Sequence, residues 1–324
     1  MSSTPAPIKC SDLVFDIDFH PKLNLICGGL YNGNLLLYKL NKDKTKFKKK
    51  WNISAHKKTI TNVSFSPNGK QILAASSDQT CSVTDLTTEN IIWQNKYHDK
   101  SYISSILYTS LNTFLTTTDD GMIRHWDIRN EQQTKPIHEI KPFDDTITSI
   151  NLNEQQYSFV CTSGGYLGLF DILNKKKISC TNLSEEYKTE FTSSQIISYN
   201  SSIVCSTING YINTFATKPW ALLKQKTKAS TDIINTLLKF NEYTILFGTT
   251  DGVIKTFNSI SNKVGDVIAK HPKNDSIEKI IINKNKYILA SISHDRCIQF
   301  YPVTIKDSKL TYKTKKKKSF FRDL

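Results

Sequence analysis

Short runs of alternating or wholly apolar residues recur along the chain, and none continues long enough to suggest a helix. Val14-Phe-Asp-Ile-Asp-Phe19, Ile60-Thr-Asn-Val-Ser-Phe65, Thr146-Ile-Thr-Ser-Ile-Asn-Leu152 and Ile277-Glu-Lys-Ile-Ile-Ile282 have the period of a strand packed on one or both faces. A shorter apolar run follows most of them: Leu25-Ile-Cys27, Ile72-Leu-Ala-Ala75, Ser202-Ile-Val-Cys205, Ile245-Leu-Phe247 and Ile288-Leu-Ala290. Gly and Pro fall mainly between the runs, where they mark turns. The clearest unit is Thr118-Asp-Asp-Gly-Met-Ile-Arg-His-Trp-Asp-Ile-Arg129, which predicts a strand end, a tight turn and a second strand closing on Trp126-Asp127.

That unit repeats. Its turn aligns with Asn32-Gly33, Asp78-Gln79, Gly164-Gly165, Asn209-Gly210, Asp251-Gly252 and Asp295-Arg296, pairs that largely tolerate the positive φ of a tight hairpin. Five residues beyond each turn stand Tyr38, Thr84, Trp126, Phe170, Phe215, Phe257 and Tyr301, spaced 42 to 46 residues apart. This period is that of a four-stranded propeller blade. Seven such units use nearly the whole chain and predict an all-β fold: a seven-bladed β-propeller, a closed toroid of four-stranded antiparallel blades over residues 1–312, followed by a basic tail over 313–324. An unclosed ring would expose two strand edges. Either Ala6 to Cys10 or Lys309 to Lys313 can complete the last blade, and the pattern does not choose between them.

Composition narrows the function classes. The chain has 324 residues, of which 38% are hydrophobic, but no uninterrupted apolar run of membrane-spanning length. Met1 to Ile8 lacks the basic start and apolar core of a secretory signal, so a cytosolic or nuclear protein without membrane attachment is expected. Seven scattered cysteines without a Cys-x-x-Cys argue against a disulfide framework and a zinc site, and no cofactor is expected. A net charge of +14 points to an anionic partner, most simply nucleic acid. Abundant Lys and Asn throughout the chain offer a purely compositional explanation as well. The lysines from Lys42 to Lys50 overlap an outer strand and read as a charged blade edge that resists aggregation.

The turns and spaced aromatics resemble the WD-repeat family over nearly the whole chain, although only Trp126-Asp127 is a literal Trp-Asp. The resemblance implies a buried tetrad in the third blade made by His98, Thr118, Asp120 and Trp126. It implies partial versions at His56, Ser76 and Asp78, where Thr84 replaces the Trp, and at His271, Ser293 and Asp295, with Tyr301. A His and an Asp that satisfy one another stabilise a blade, whereas catalysis also needs a placed nucleophile or electrophile and an open pocket. No nucleophile elbow, P-loop, zinc-protease motif or dinucleotide fingerprint is present, so no catalytic residue is assigned. In the same family, a Trp-Asp-x-Arg ending implies docking on the adaptor of a cullin-four ubiquitin ligase, which would make Arg129 the contact and the protein a substrate receptor. The bland reading of Arg129 is a salt bridge to a neighbour or simple solvation. A ligand or substrate in the central channel is a third reading.

The tail carries Lys313, Lys315, Lys316, Lys317 and Lys318 in six residues. Such a run stays solvated, and serves as a nuclear or nucleolar address, an RNA-contacting arm or a solubilising tail. Phe320-Phe321 beside it is apolar enough to pack on the ring or in a partner's groove. Phe15-Asp-Ile-Asp-Phe-His-Pro21, Thr250-Asp-Gly-Val-Ile254, Asn262-Lys-Val264, Leu289-Ala-Ser-Ile-Ser-His-Asp295 and the lysine run before Phe-Phe are similar to one branch of the family, that of WD repeat-containing protein fifty-five and its fungal counterpart Jip-five. This implies a nucleolar, non-enzymatic factor in pre-rRNA processing and large-subunit maturation. It would act as a monomer within a larger complex, contacting pre-ribosomal proteins and, through the tail, pre-rRNA. The long acidic tails common in that branch are missing here.

Overall fold

Among the described residues of the computed structural model, twenty-eight strands, β1 to β28 in chain order, form seven four-stranded antiparallel sheets. The structure describes residues 4–95, 101–130, 135–153, 158–171, 176–182, 189–199 and 201–303. The innermost strands are β2 (Val14–Phe19), β6 (Ile60–Phe65), β10 (Ile103–Tyr108), β14 (Ile147–Asn153), β18 (Phe191–Ile197), β22 (Ile234–Lys239) and β26 (Lys279–Ile282). Each packs against the next, and β26 returns to β2, so the ring is closed. Seven apolar clusters fill the seams between neighbouring blades. A single blade cannot bury both of its faces, which is why the repeats must stack.

The last blade is completed from the N-terminus. Strand β1 (Ile8–Lys9) pairs antiparallel with β28 (Cys297–Pro302), Ile8 opposite Ile298 and Lys9 opposite Cys297. Of the two closures open to the sequence, the segment Ala6 to Cys10 is the one used; Lys309 to Lys313 lies outside the described residues. The start of the free edge of β28, Cys297 and Ile298, is thereby covered.

The turns behave as their residues require. In five blades the amide of the turn's second residue donates to the carbonyl three residues earlier, as Gly121 does to Thr118 at 3.2 Å. Every turn holds at least one residue of positive φ, both Gly164 and Gly165 in the fourth blade, and Gln79 and Arg296 where no glycine stands. At Gly121 the need is also steric, because a Cβ would sit 2.1 Å from the Phe143 carbonyl oxygen. In the first six blades a β-bulge follows the buried apolar residue that opens the innermost strand, from Val14 to Ile234. The bulge re-aims the next side chains toward the channel.

Several of those channel side chains seal the exposed edge of the next strand. Asp16 Oδ2 accepts the Val63 amide at 2.9 Å and Asp18 Oδ2 the Phe65 amide at 2.8 Å. Further round, Thr61 donates to the Ile103 carbonyl, Asn151 to Ser194, Gln195 to Leu237 and Asn235 to Ile277. The closing seam is an ion pair, Lys279 Nζ to Asp16 Oδ1 at 3.1 Å.

Strand direction sorts the loops. Connections between first and second and between third and fourth strands open on one face, called the lower; connections between second and third strands and between blades open on the upper. Contacts respect this: the Tyr102 amide reaches Asp119 Oδ1 at 2.9 Å on the upper face, and the Ser198 amide reaches the Glu242 carbonyl at 2.9 Å on the lower.

Candidate functional site

The third blade holds the residues picked out by the Trp-Asp pattern. Trp126 lies on β12 (Ile123–Asp127), 1% exposed, and its ring meets Trp93 edge-on at 5.9 Å. Its indole N–H donates to the hydroxyl of Thr116 at 2.9 Å, on β11 (Thr113–Thr118). Thr118 instead donates to Asp120 inside the turn and receives the Met122 amide at 3.2 Å. The expected grouping of Thr118 with Trp126 is thus corrected. Thr116 and Thr118 share a face of β11, and the aromatic partner is the one two residues further from the turn. His98 lies outside the described residues. Burial works to raise the Asp120 pKa, but hydrogen bonds from Thr118 and Ser101 outweigh it and hold the carboxyl below its ordinary value.

The other partial tetrads also depart from the expected grouping. His56 places one ring nitrogen 2.8 Å from Thr80 Oγ1 and 3.4 Å from Asp78 Oδ2, and the other 2.8 Å from Ser82 Oγ. Its hydroxyl partners are Thr80 and Ser82. Ser76, expected in that role, donates to the Lys58 carbonyl and receives the Asp78 amide. Burial would raise the Asp78 pKa, yet bonds from His56, Thr80 and the Lys57 amide hold it well below the usual carboxylate range. The position matching Thr116 in this blade is Ala74, fully buried, so the indole and its hydroxyl partner are absent together. Thr84 occupies the Trp position with its hydroxyl buried and without a hydrogen-bond partner among the described residues. In the last blade His271 lies 3.7 Å from Asp295, while the Ser293 hydroxyl has no partner among the described residues.

Arg129 sits on the lower rim with its side chain 69% exposed. Its guanidinium grips its own motif, Nη2 to Asp127 Oδ2 at 2.6 Å and Nε to Asp127 Oδ1 at 2.9 Å, with the Arg129 amide also on Oδ1 at 2.9 Å. These bonds hold the Asp127 carboxyl below its ordinary value. The tail lysines Lys313, Lys315, Lys316, Lys317 and Lys318, and Phe320-Phe321, lie outside the described residues.

Sequence reasoning raised the channel as a third reading without naming the groups that line it. A space of about 390 Å³ is lined by Ser, Thr and Asn side chains with Asp16, Glu278 and Lys279. Burial pushes the Asp18 carboxyl up to about 7, and the Asp16 carboxylate raises the Lys279 pKa. The available signal was Asp16-Ile-Asp18, two acids spaced to share one face of an innermost strand. The lysine cluster met its expectation: on β5 (Phe47–Ser54) Lys48, Lys49 and Lys50 are exposed at a blade edge. Of the cysteines, Cys27, Cys81 and Cys205 are buried thiols, and no group of three His, Cys, Asp or Glu is arranged for a metal among the described residues.

The chain is similar to a WD repeat-containing protein 55 homolog of Aedes aegypti, 27% identical over 304 residues that cover 93% of this chain and 62% of the mosquito protein. It therefore spans less than two thirds of that relative's length. WD repeat-containing protein 55 of Arabidopsis thaliana is 25% identical over 291 residues, covering 89% of this chain and 79% of the plant protein. The Rattus norvegicus protein of the same name is 24% identical over 302 residues, covering 93% and 77%. A family model described as WDR55 matches residues 5–305, from the strand that closes the ring to the end of the last blade. Because that match takes in all seven blades, including the degenerate ones, the chain belongs to the WDR55 family.

Proposed function

We propose that this chain is a non-catalytic scaffold in ribosome biogenesis, acting through protein–protein contacts in pre-rRNA processing and large-subunit maturation, in the nucleus and nucleolus. The observation that carries the reading is family membership along all seven blades, joined to the resemblance of Phe15 to Pro21 and Leu289 to Asp295 to the ribosome-biogenesis branch. A rigid toroid suits the role, since its loops present fixed surfaces to several partners at once. In the second and third blades His56, Ser82, Thr116, Trp126, Thr118 and Asp120 are hydrogen-bonded within the blade, which supports structural work for them.

The test is sedimentation of the tagged protein through sucrose gradients of cell lysate at low and high salt, with precursor ribosomal RNA probed in each fraction. Co-migration with large-subunit precursors that persists at high salt is the expected result. Residence in light fractions beside a ubiquitin-ligase adaptor, lost in Arg129→Ala, would overturn it; such docking would first have to break the Arg129–Asp127 pair.

A further inference from the structure

The net charge conceals a separation between the two faces. Among the described residues, the loops of the lower face carry ten Lys and Arg against three Asp and Glu. Those of the upper face carry five against twelve. The described loops of the lower face are therefore strongly basic and those of the upper face acidic. Strand β28 runs toward the lower face, so Val303 leaves the ring on the side that is already positive.

Exposed rings stand among these charges. The loops joining first to second strands in the last three blades each present a tyrosine: Tyr199, Tyr243 and Tyr287, exposed by 65%, 39% and 69%. The loops are fixed. Asn241 Oδ1 receives the Tyr243 amide and Asn283 Oδ1 the Tyr287 amide, both at 2.9 Å. Lys286 donates to the Phe240 carbonyl of the preceding blade and stacks over its ring at 4.9 Å, while Tyr199 and Tyr243 meet edge-on at 6.2 Å. The acid of these three loops, Glu242, is neutralised locally: Lys239 lies 2.7 Å away, the Tyr199 amide donates to it at 2.7 Å, and these partners overcome burial to lower its pKa. Around the closing seam, Lys22 and Lys284 flank one crevice, and a groove of about 270 Å³ opens beside Tyr287 with Lys44 at its edge.

Lysines alone would suit any polyanion, including an acidic peptide. Three exposed aromatic rings on hydrogen-bonded successive loops favour single-stranded nucleic acid, because every base has a face that stacks on tyrosine while lysines meet the phosphates. We infer that the lower face is a single-stranded RNA-binding surface, with Tyr199, Tyr243 and Tyr287 as stacking platforms and Lys22, Lys44 and Lys284 as phosphate contacts. The inference rests on the proposed role in ribosomal RNA maturation. It extends that role by assigning RNA contact to the ring itself as well as to the tail, and it leaves the acidic upper face for other partners.

The experiment measures fluorescence anisotropy of a labelled 20-nucleotide oligouridylate with the full chain, from low to near-physiological salt. The combined Tyr199→Ala, Tyr243→Ala, Tyr287→Ala variant should bind at least about tenfold more weakly with an unchanged salt slope. Lys22→Gln with Lys284→Gln should flatten the log–log slope by about 1.4, from roughly 0.7 per single-strand phosphate contact. Lys57→Gln with Lys58→Gln, on the upper face, should change neither quantity. The tyrosines and lysines are exposed, and unchanged thermal melts confirm that the variants fold. Wild-type affinity in the tyrosine variant, loss of all binding on removing Lys313 to Leu324 alone, or equal competition by polyglutamate would each overturn the inference. Sedimentation separates it from the broader proposal: RNA binding without particle association removes the ribosomal role and keeps the surface, and particle association with unimpaired binding in the tyrosine variant does the reverse.

Discussion

Replacing Trp126 by alanine removes the largest fully buried side chain of the third blade, at the centre of the seam shared with Trp93 and Phe114. Truncation of a buried aromatic costs about 3–5 kcal/mol from lost burial and the cavity left behind. Domain stabilities of about 5–15 kcal/mol make this a large fraction of the total. Phenylalanine keeps a ring in the site and loses the indole N–H bond to Thr116, so Trp126→Phe should cost about 1–2 kcal/mol. Equilibrium urea unfolding followed by circular dichroism reads both values, since Trp126 is one of only four tryptophan fluorophores. A double-mutant cycle locates the bond: Trp126→Phe with Thr116→Val should show coupling of about 0.5–1.5 kcal/mol, whereas Trp126→Phe with Thr118→Val should be additive within about 0.5 kcal/mol. An alanine variant losing less than about 1 kcal/mol at unchanged denaturant slope would refute the burial argument. Coupling to Thr118 in place of Thr116 would refute the assignment of partners.

Three further outcomes are expected. Thr84→Val should raise stability by about 0.5–1.5 kcal/mol in the same unfolding assay, because it removes a buried hydroxyl without a partner and keeps the shape; a loss of stability would show that the hydroxyl is satisfied. Burial raises the folded Asp18 pKa from 3.8 to about 7, so the folded chain holds a proton that the unfolded chain has released within that window. Stability contributed there is full below about pH 4 and declines as pH rises through 7, with a slope of at most about 1.4 kcal/mol per pH unit. Asp18→Asn should remove this component, and parallel pH profiles for the two proteins would contradict it. Asp16→Ala should cost about 1–3 kcal/mol, chiefly because it leaves the Val63 amide without its acceptor while the partly exposed Lys279 can turn to solvent, and Asp16→Asn should cost less by retaining an acceptor for Val63. Equal losses in the two variants, measured by thermal unfolding, would remove the Val63 hydrogen bond from the account.

Much of the ring was legible because its signals are local. Positive φ at the turns depends on residues such as Gly33, Gly121 and Gly252, and the aromatic five residues on is buried because strand period puts it on the seam face. The partner of Trp126 was not legible. Thr116 and Thr118 point the same way along β11, and only packing against Trp93 and the turn at Asp120 separates their roles. Arg129 was left between a neighbour and solvent; its position two residues beyond Asp127 lets it fold back on its own motif. The channel groups were missed because their partners lie in other blades, about 47 residues away for Asp16 with Val63 and Asp18 with Phe65.

By itself the sequence determined the number of blades, the order of their strands and the family, since a repeated run, turn and aromatic can be counted without knowing what touches what. Tertiary structure decided which end closes the ring, because two segments can form a fourth strand but β28 offers only one uncovered edge. It also decided the meaning of the charge. Successive loops of an antiparallel blade open on opposite sides, so a lysine-rich chain folds into a disc with one basic and one acidic face, a division that exists only when the strands are in place.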